Sequence, residues 1–287
     1  MKQNEPFTIL YQDDDMIVVN KASGLLVASD RWDPDAPRLD LAVTKALFGG
    51  QEAADANGGE SGDETVGADG ETQRTAPTRR LYAVHRIDKD TSGIVIYAKT
   101  AEAHRALSMA FEKREVHKTY HALSHGRPVW EETEASDPLR ADGDLKHRTV
   151  RDRRHGKESL TLFRNIGPCG KYCWIEARPV TGRTHQIRVH LQLSGLPIAC
   201  DPLYGDGKPL FLSGIKRSWR GDSLAERPLL DRLALHAWRV ELAHPITGEP
   251  LVITAPYPRD LESTRKQLKK MYKTDPLEGT EGAGETD

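Results

Sequence analysis

Two short stretches of this sequence set residues able to do acid–base chemistry or to grip an anion close together. The first, His85-Arg86-Ile87-Asp88-Lys89-Asp90-Thr91-Ser92-Gly93, sets two carboxylates among cations and hydroxyls directly ahead of the apolar run Ile94-Val95-Ile96-Tyr97-Ala98. A carboxylate at the mouth of a buried strand is fixed by the strand and exposed by the loop, which suits a general base or a nucleophile. An Asp in an ordinary turn does less and only caps its own backbone. Ile87 separates Arg86 from Asp88, so this is not the HRD of a kinase, and no DFG or glycine-rich phosphate loop accompanies it. The second stretch is Thr181-Gly182-Arg183-Thr184-His185-Gln186-Ile187-Arg188-Val189-His190. Its arginines could bind phosphate or pair with a carboxylate, or could lie on the solvated face of a helix. His185 and His190 are five residues apart. That is about 140° around a helix, so they do not form the i, i+4 pair of a zinc hydrolase. Gly205-Asp206-Gly207-Lys208 lacks the second half of a P-loop and reads as a turn.

These residues need elements to hold them. The β-prone runs at 8–10 and 16–19 flank the polar cluster Gln12-Asp13-Asp14-Asp15 and predict a hairpin. After the strand at 94–98, Thr100 can cap a helix with apolar positions Ala103, Ala106, Leu107, Ala110 and Phe111. A strand at 116–122 would put Val116, Lys118, Tyr120 and Ala122 on one face. A strand at 172–177 turns through Thr181-Gly182 into a helix over 184–194 stopped by Gly195, with His185, Arg188 and Gln192 on one side. Runs 235–242 and 251–255 form a hairpin around His244-Pro245-Ile246-Thr247-Gly248-Glu249-Pro250. Many strands with scattered helices predict an α+β fold around a mostly antiparallel sheet.

Composition narrows the partner. Net charge is −2, from 41 Lys and Arg against 43 Asp and Glu, but twelve of those acids lie in residues 51–73 and 275–287, which contain no Lys or Arg. Elsewhere 41 basic residues face 31 acids, the sign expected of a protein that meets polyanions. The acid- and glycine-rich segments cannot bury enough apolar surface to order themselves, so a disordered insert at 51–78 and a disordered tail at 274–287 are expected around one domain over 1–273. No apolar run is long enough to span a membrane, and the N-terminus shows no signal-peptide pattern, so a cytoplasmic protein is expected. Cys169, Cys173 and Cys200 are odd in number with C-x3-C spacing, which supports neither a disulfide framework nor structural zinc.

Taken in order, ILYQDDDMIVVNKASGLL, HRIDKDTSG, REVHKTYHAL, TGRTHQIRVHLQLSGLPIACDPLYG and LALHAWRVELAHPITGEPLVITAP resemble the RluA-type RNA pseudouridine synthases over about residues 7–257. Several long motifs in one order are far more specific than any one of them. The resemblance implies the pseudouridine synthase fold and an isomerase that converts uridine to pseudouridine in structured ribosomal RNA, transfer RNA or both, without metal or organic cofactor. It also implies the short form of the family, since the first strand begins near residue 8 and leaves no room for a basic RNA-binding module before it. A monomer is expected.

Residue by residue, the resemblance makes Asp88 the catalytic carboxylate, Arg188 its ion-pair partner and Tyr120 a ring against the target base with a hydroxyl that could carry a proton. A carboxylate beside the sugar can act on C1′, on C6 or on the C2′ proton; members of the family lean toward the C2′ route through a glycal. Arg86 resembles the arginine that enters the RNA stack where the uridine leaves it, and Leu235 an apolar contact to that base. Lys118, Arg183 and His185 complete the expected RNA-contacting set. Asn20 and Lys21 match the N-K-P-x-G segment, with Ala22 in place of its proline. Lys146, Arg148, Arg151, Arg153, Arg154 and Lys157 could contact phosphates or form an exposed charged loop. An RNA-binding protein on the same fold that has lost catalysis is the alternative, and the presence of Asp88, Tyr120 and Arg188 together argues against it. If the roles are right, Asp88 lies within ion-pair reach of Arg188, and Tyr120 faces the same cleft.

Overall fold

The computed structural model describes residues 5–29, 35–49 and 80–278. The expected acidic insert at 51–78 lies outside the described residues. The elements in order are β1 (Phe7–Gln12), β2 (Met16–Lys21), α1 (Leu39–Phe48), β3 (Tyr82–Ala83), β4 (Ser92–Ala98), α2 (Ala101–Glu112), β5 (His117–His125) and β6 (Glu132–Ala135). They continue through β7 (Leu139–Arg140), β8 (Val150–Arg151), β9 (Thr161–Cys169), β10 (Tyr172–Pro179), α3 (Gln186–Leu193), β11 (Leu235–Ala243), β12 (Pro250–Thr254) and α4 (Arg259–Tyr272). This is the expected α+β architecture.

The central sheet runs β1-β2-β4-β11-β5-β10-β9-β6, with β12 also on β11 and β3 also on β4, while β7 and β8 form a separate ribbon. Among the named strands only β4 and β11 pair parallel. That pairing matches His236 to Ser92 and Ala237 to Gly93 at the start of each strand, after which β11 takes β12 as its neighbour. Gly93 makes the close approach possible. Its φ is +112°, and a Cβ there would lie 2.2 Å from the Ala237 carbonyl oxygen.

The first hairpin forms because Asp13 Oδ1 accepts the N–H groups of Asp15 and Met16, closing the turn locally. Thr100 caps α2 as its sequence suggests, its Oγ1 accepting the Ala103 N–H at 3.2 Å. Two apolar clusters flank the middle of the sheet. One gathers β2, β4, α1 and α2 residues and includes Ile87; the other gathers β10, α3 and α4 residues and includes Ile187. Tyr120 on β5 packs against both.

Two expectations need correction. The helix predicted over 184–194 spans only Gln186–Leu193, because His185 takes a left-handed backbone (φ 53°, ψ 19°) just ahead of it, so His185 is not on a helix face with Arg188. Gly195, at φ +73°, does terminate it. The tail was expected to lose order from 274, yet residues 274–278 are docked. Thr274 Oγ1 donates to the Pro168 carbonyl at 2.7 Å, and the Asp275 carboxylate, 2% exposed, receives Arg265 at 2.6 Å and Lys269 at 2.8 Å. Composition misses this because the cations that hold Asp275 sit on α4.

Candidate active site

The loop before β4 is tied down through its backbone. Lys21 Nζ donates to the carbonyls of Lys89 (2.8 Å) and Ala22 (2.9 Å), Ser23 Oγ donates to Asp90 C=O at 2.7 Å, and the Gly24 N–H reaches Lys89 C=O at 2.8 Å. The Thr91 N–H closes the turn on Asp88 C=O at 3.1 Å. With its backbone held at each step, the loop presents the Asp88 side chain, 22% exposed, at the mouth of a cleft.

On the opposite wall α3 supplies Arg188, which is 2% exposed. Its Nε and Nη2 donate to Asp201 Oδ2 and Oδ1 at 2.8 and 2.7 Å, and its Nη1 donates to Asp88 Oδ2 at 3.2 Å. Burial disfavours the guanidinium charge, but Asp201 first and Asp88 second more than offset this, so its pKa lies above the ordinary arginine value. The ring of Tyr204 lies 5.1 Å from the same guanidinium, and its hydroxyl bonds the His185 Nδ1 at 2.9 Å and accepts the Thr149 N–H at 2.8 Å. Burial pushes the His185 pKa down, opposed by Asp88. Gln186 braces the entry to α3: its Oε1 accepts Thr181 Oγ1 at 2.7 Å and the Arg183 N–H at 2.9 Å, and its Nε2 donates to Leu160 C=O at 3.0 Å.

The cleft has a volume of about 530 Å³ and its lining includes Arg86, Asp88, Lys118, Tyr120, Arg183, His185, Arg188 and Leu235. Eight of the ten residues expected from the sequence therefore converge. Lys118 and Tyr120 enter from alternate positions of β5, as a period of two requires. Burial, with Asp88 adding to it, raises the Tyr120 pKa, so its hydroxyl keeps its proton at neutral pH. Burial lowers the Lys118 pKa, and its Nζ sits 5.7 Å from the centre of the Phe111 ring. Arg86 is exposed at the rim, and Arg183 is steered by a 2.9 Å bond from Nε to Glu158 C=O.

Asn20 and Lys21 are not part of the lining. They belong to β2, an interior strand of the sheet, which turns Lys21 inward beneath the Asp88 loop and leaves Asn20 donating to Pro256 C=O at 2.9 Å. Lys21 thus supports the loop instead of meeting RNA, and burial lowers its pKa to about 7 against the pull of Asp90 and Asp88. The basic group at 146–157 also lies outside the cleft lining. Part of it is neutralised, Arg148 by Asp144 at 2.7 Å and Arg151 by Asp137 at 3.3 Å.

A buried, permanently charged guanidinium holding a partly exposed carboxylate, facing an aromatic hydroxyl and an apolar floor, is suited to acid–base or nucleophilic work on a flat, polar substrate. The model of the RNA pseudouridylate synthase family matches residues 15–193. The chain belongs to that family. This pseudouridine synthase is therefore an isomerase that converts uridine to pseudouridine in RNA. It is 33% identical over 268 residues, 93% of the chain and 71% of the relative, to "Ribosomal large subunit pseudouridine synthase D" of Xanthomonas campestris pv. campestris. Against "Ribosomal large subunit pseudouridine synthase C" of Vibrio vulnificus it is 35% identical over 266 residues, 91% of the chain and 69% of the relative. The solved structure of "Human RNA Pseudouridylate Synthase Domain Containing 4" shares its fold, with a TM-score of 0.61 and 24% identity over 91% of the chain and 92% of that structure. No helix of the synthase, among the described residues, is long and apolar enough to cross a membrane.

Two site residues escape reading of the sequence by type and spacing. Asp201 and Tyr204 lie within the ACDPLYG part of a motif, yet neither sits in a polar cluster of its own, whereas Gln186 lies within the polar stretch 181–190 without its type suggesting a role. The available signal is that a buried arginine requires a full complement of acceptors, more than Asp88 alone provides.

Proposed function

We propose that this synthase isomerises uridine in large-subunit ribosomal RNA, with Asp88 as its catalytic carboxylate. The observation that carries the reading is the 3.2 Å ion pair between Asp88 and the buried Arg188 in a cleft also lined by Tyr120 and Leu235. The ribosomal substrate is drawn from the names of the relatives.

The chemistry sets the roles. A stacked nucleotide hides its glycosidic bond, so the uridine must leave the RNA stack first, and Arg86 at the exposed rim is placed to fill the gap. In the cleft the base lies between the Tyr120 ring and Leu235, while Lys118, Arg183 and His185 face its phosphates and sugar. Asp88, oriented by Arg188, acts on the ribose so that the C1′–N1 bond breaks. The uracil turns and C5 bonds to C1′; N1 takes the proton that the Tyr120 hydroxyl donates, and the C5 proton passes to the phenolate so formed, from which it exchanges into water. Removal of that proton gives the test. RNA carrying 5-tritiated uridine releases tritium with the wild-type enzyme, and Asp88→Ala abolishes release. Failure of the wild type to release tritium from any cellular RNA removes the enzymatic reading, and release from transfer RNA alone removes the ribosomal assignment.

A further inference from the structure

Nearly every buried polar atom of the cleft wall has a partner inside the protein, and one does not. Arg188 is taken by Asp201 and Asp88, Thr181 and Gln186 bond one another, and His185 bonds Tyr204. Thr91 is 2% exposed, and its Oγ1 is fully buried without a hydrogen-bond partner. Seven side-chain atoms among the described residues share that condition, and Thr91 alone of them belongs to a residue lining the cleft. A buried hydroxyl left unpaired costs about 1–3 kcal/mol, so natural structures rarely keep one unless something outside the fold uses it. The backbone holds the residue firmly, through the Thr91 N–H on Asp88 C=O at 3.1 Å on one side and the β4 ladder on the other.

We propose that the Thr91 hydroxyl is a substrate-contact group whose missing partner is the extruded uridine, which it meets when the side chain turns about Cα–Cβ toward the cleft that the residue lines. It sits three residues from Asp88 on the same loop, within a cleft whose other walls supply the Tyr120 ring and Leu235. Uracil offers two carbonyl acceptors and an N–H donor, the ribose offers hydroxyls, and a threonine hydroxyl can both donate and accept. One hydrogen bond so close to the reacting carbon fixes the nucleotide against Asp88 and restrains it while the base turns. The inference rests on reading this cleft as the active site.

Thr91→Val keeps the shape and removes the hydroxyl. The expected result is a drop of about tenfold in kcat/KM, the usual worth of one net hydrogen bond, while the melting temperature stays level or rises, because an unsatisfied buried group has gone. Thr91→Ser, which restores a hydroxyl, recovers most of the activity. Wild-type kcat/KM in Thr91→Val overturns the proposal. So does a lower melting temperature in Thr91→Val with the activity loss left unrepaired by Thr91→Ser, because the threonine would then serve the fold. An active Asp88→Ala variant defeats the reading of the cleft itself, a result separable from any result at Thr91.

Discussion

Arg188 makes three directed bonds, and only one of them reaches Asp88. The bidentate grip of Asp201, itself fully buried, fixes the plane of the guanidinium and so the direction in which Nη1 meets Asp88. Asp201→Asn removes one buried charge and leaves the other under-compensated. It is expected to cost about 3 kcal/mol of stability, read by urea unfolding, and to lower kcat more than KM is raised, because the substrate surfaces are untouched while the orientation of Asp88 is lost. Equal stability and equal kcat would remove Asp201 from the machinery. This is also where reading by residue type stops. The pairing of Asp88 with Arg188 follows from the family motifs, but Arg188 and Asp201 are thirteen residues apart across a helix end and a turn, and no local periodicity connects them.

At the scale of elements, the loop that carries Asp88 is positioned by the crossing of β4 and β11, and Gly93 is where those backbones touch. A methyl at that position meets the Ala237 carbonyl at 2.2 Å and nitrogen at 2.7 Å on a backbone with φ of +112°. Gly93→Ala must push the strands apart or strain the chain, and a loss of at least about 3 kcal/mol is expected in chemical denaturation. An unperturbed unfolding midpoint would show that the crossing is more pliable than it is drawn. Strands with continuous apolar runs, such as β2 and β4, and the two hairpins were legible because burial and turn chemistry agree there. The long β9 was not, since Asn165, Gly167 and Pro168 interrupt its pattern. Nor was α4, whose buried residues are Leu261, Thr264 and Leu268 along an otherwise highly charged surface. In α3, spacing finds the helix but not its first turn, because the left-handed residue that starts it is a histidine and not a glycine.

Across the whole molecule, burial sets the response to pH. His85, His121 and His236 are held neutral, their pKa values lowered by burial to about 3. In the unfolded chain they take up protons below about pH 6.5, so each withdraws up to about 1.4 kcal/mol of stability per pH unit as the pH falls from there toward 3. Lys21 acts in the same sense at higher pH: neutral in the fold above about 7 and protonated when unfolded until about 10.4, it makes stability rise with pH over that window. Burial raises Tyr172, Tyr204 and Cys173 to about 12, so the fold loses ground again once their unfolded counterparts ionise. The urea midpoint is therefore expected to fall from pH 8 to pH 5 and to peak on the alkaline side of neutrality; a maximum near pH 5 would contradict the neutral histidines. None of this follows from the net charge of −2, which averages an acid-rich minority of the chain with a basic remainder. The two apolar clusters carry a different lesson. Ile87, beside Asp88, is rooted in one, and Ile187, beside Arg188, in the other, so the 3.2 Å bond between Asp88 and Arg188 spans the seam like a vernier on two scales. A packing change that tilts one half by a fraction of an ångström is expected to misread at that mark first, lowering activity while the circular dichroism is still that of the native protein.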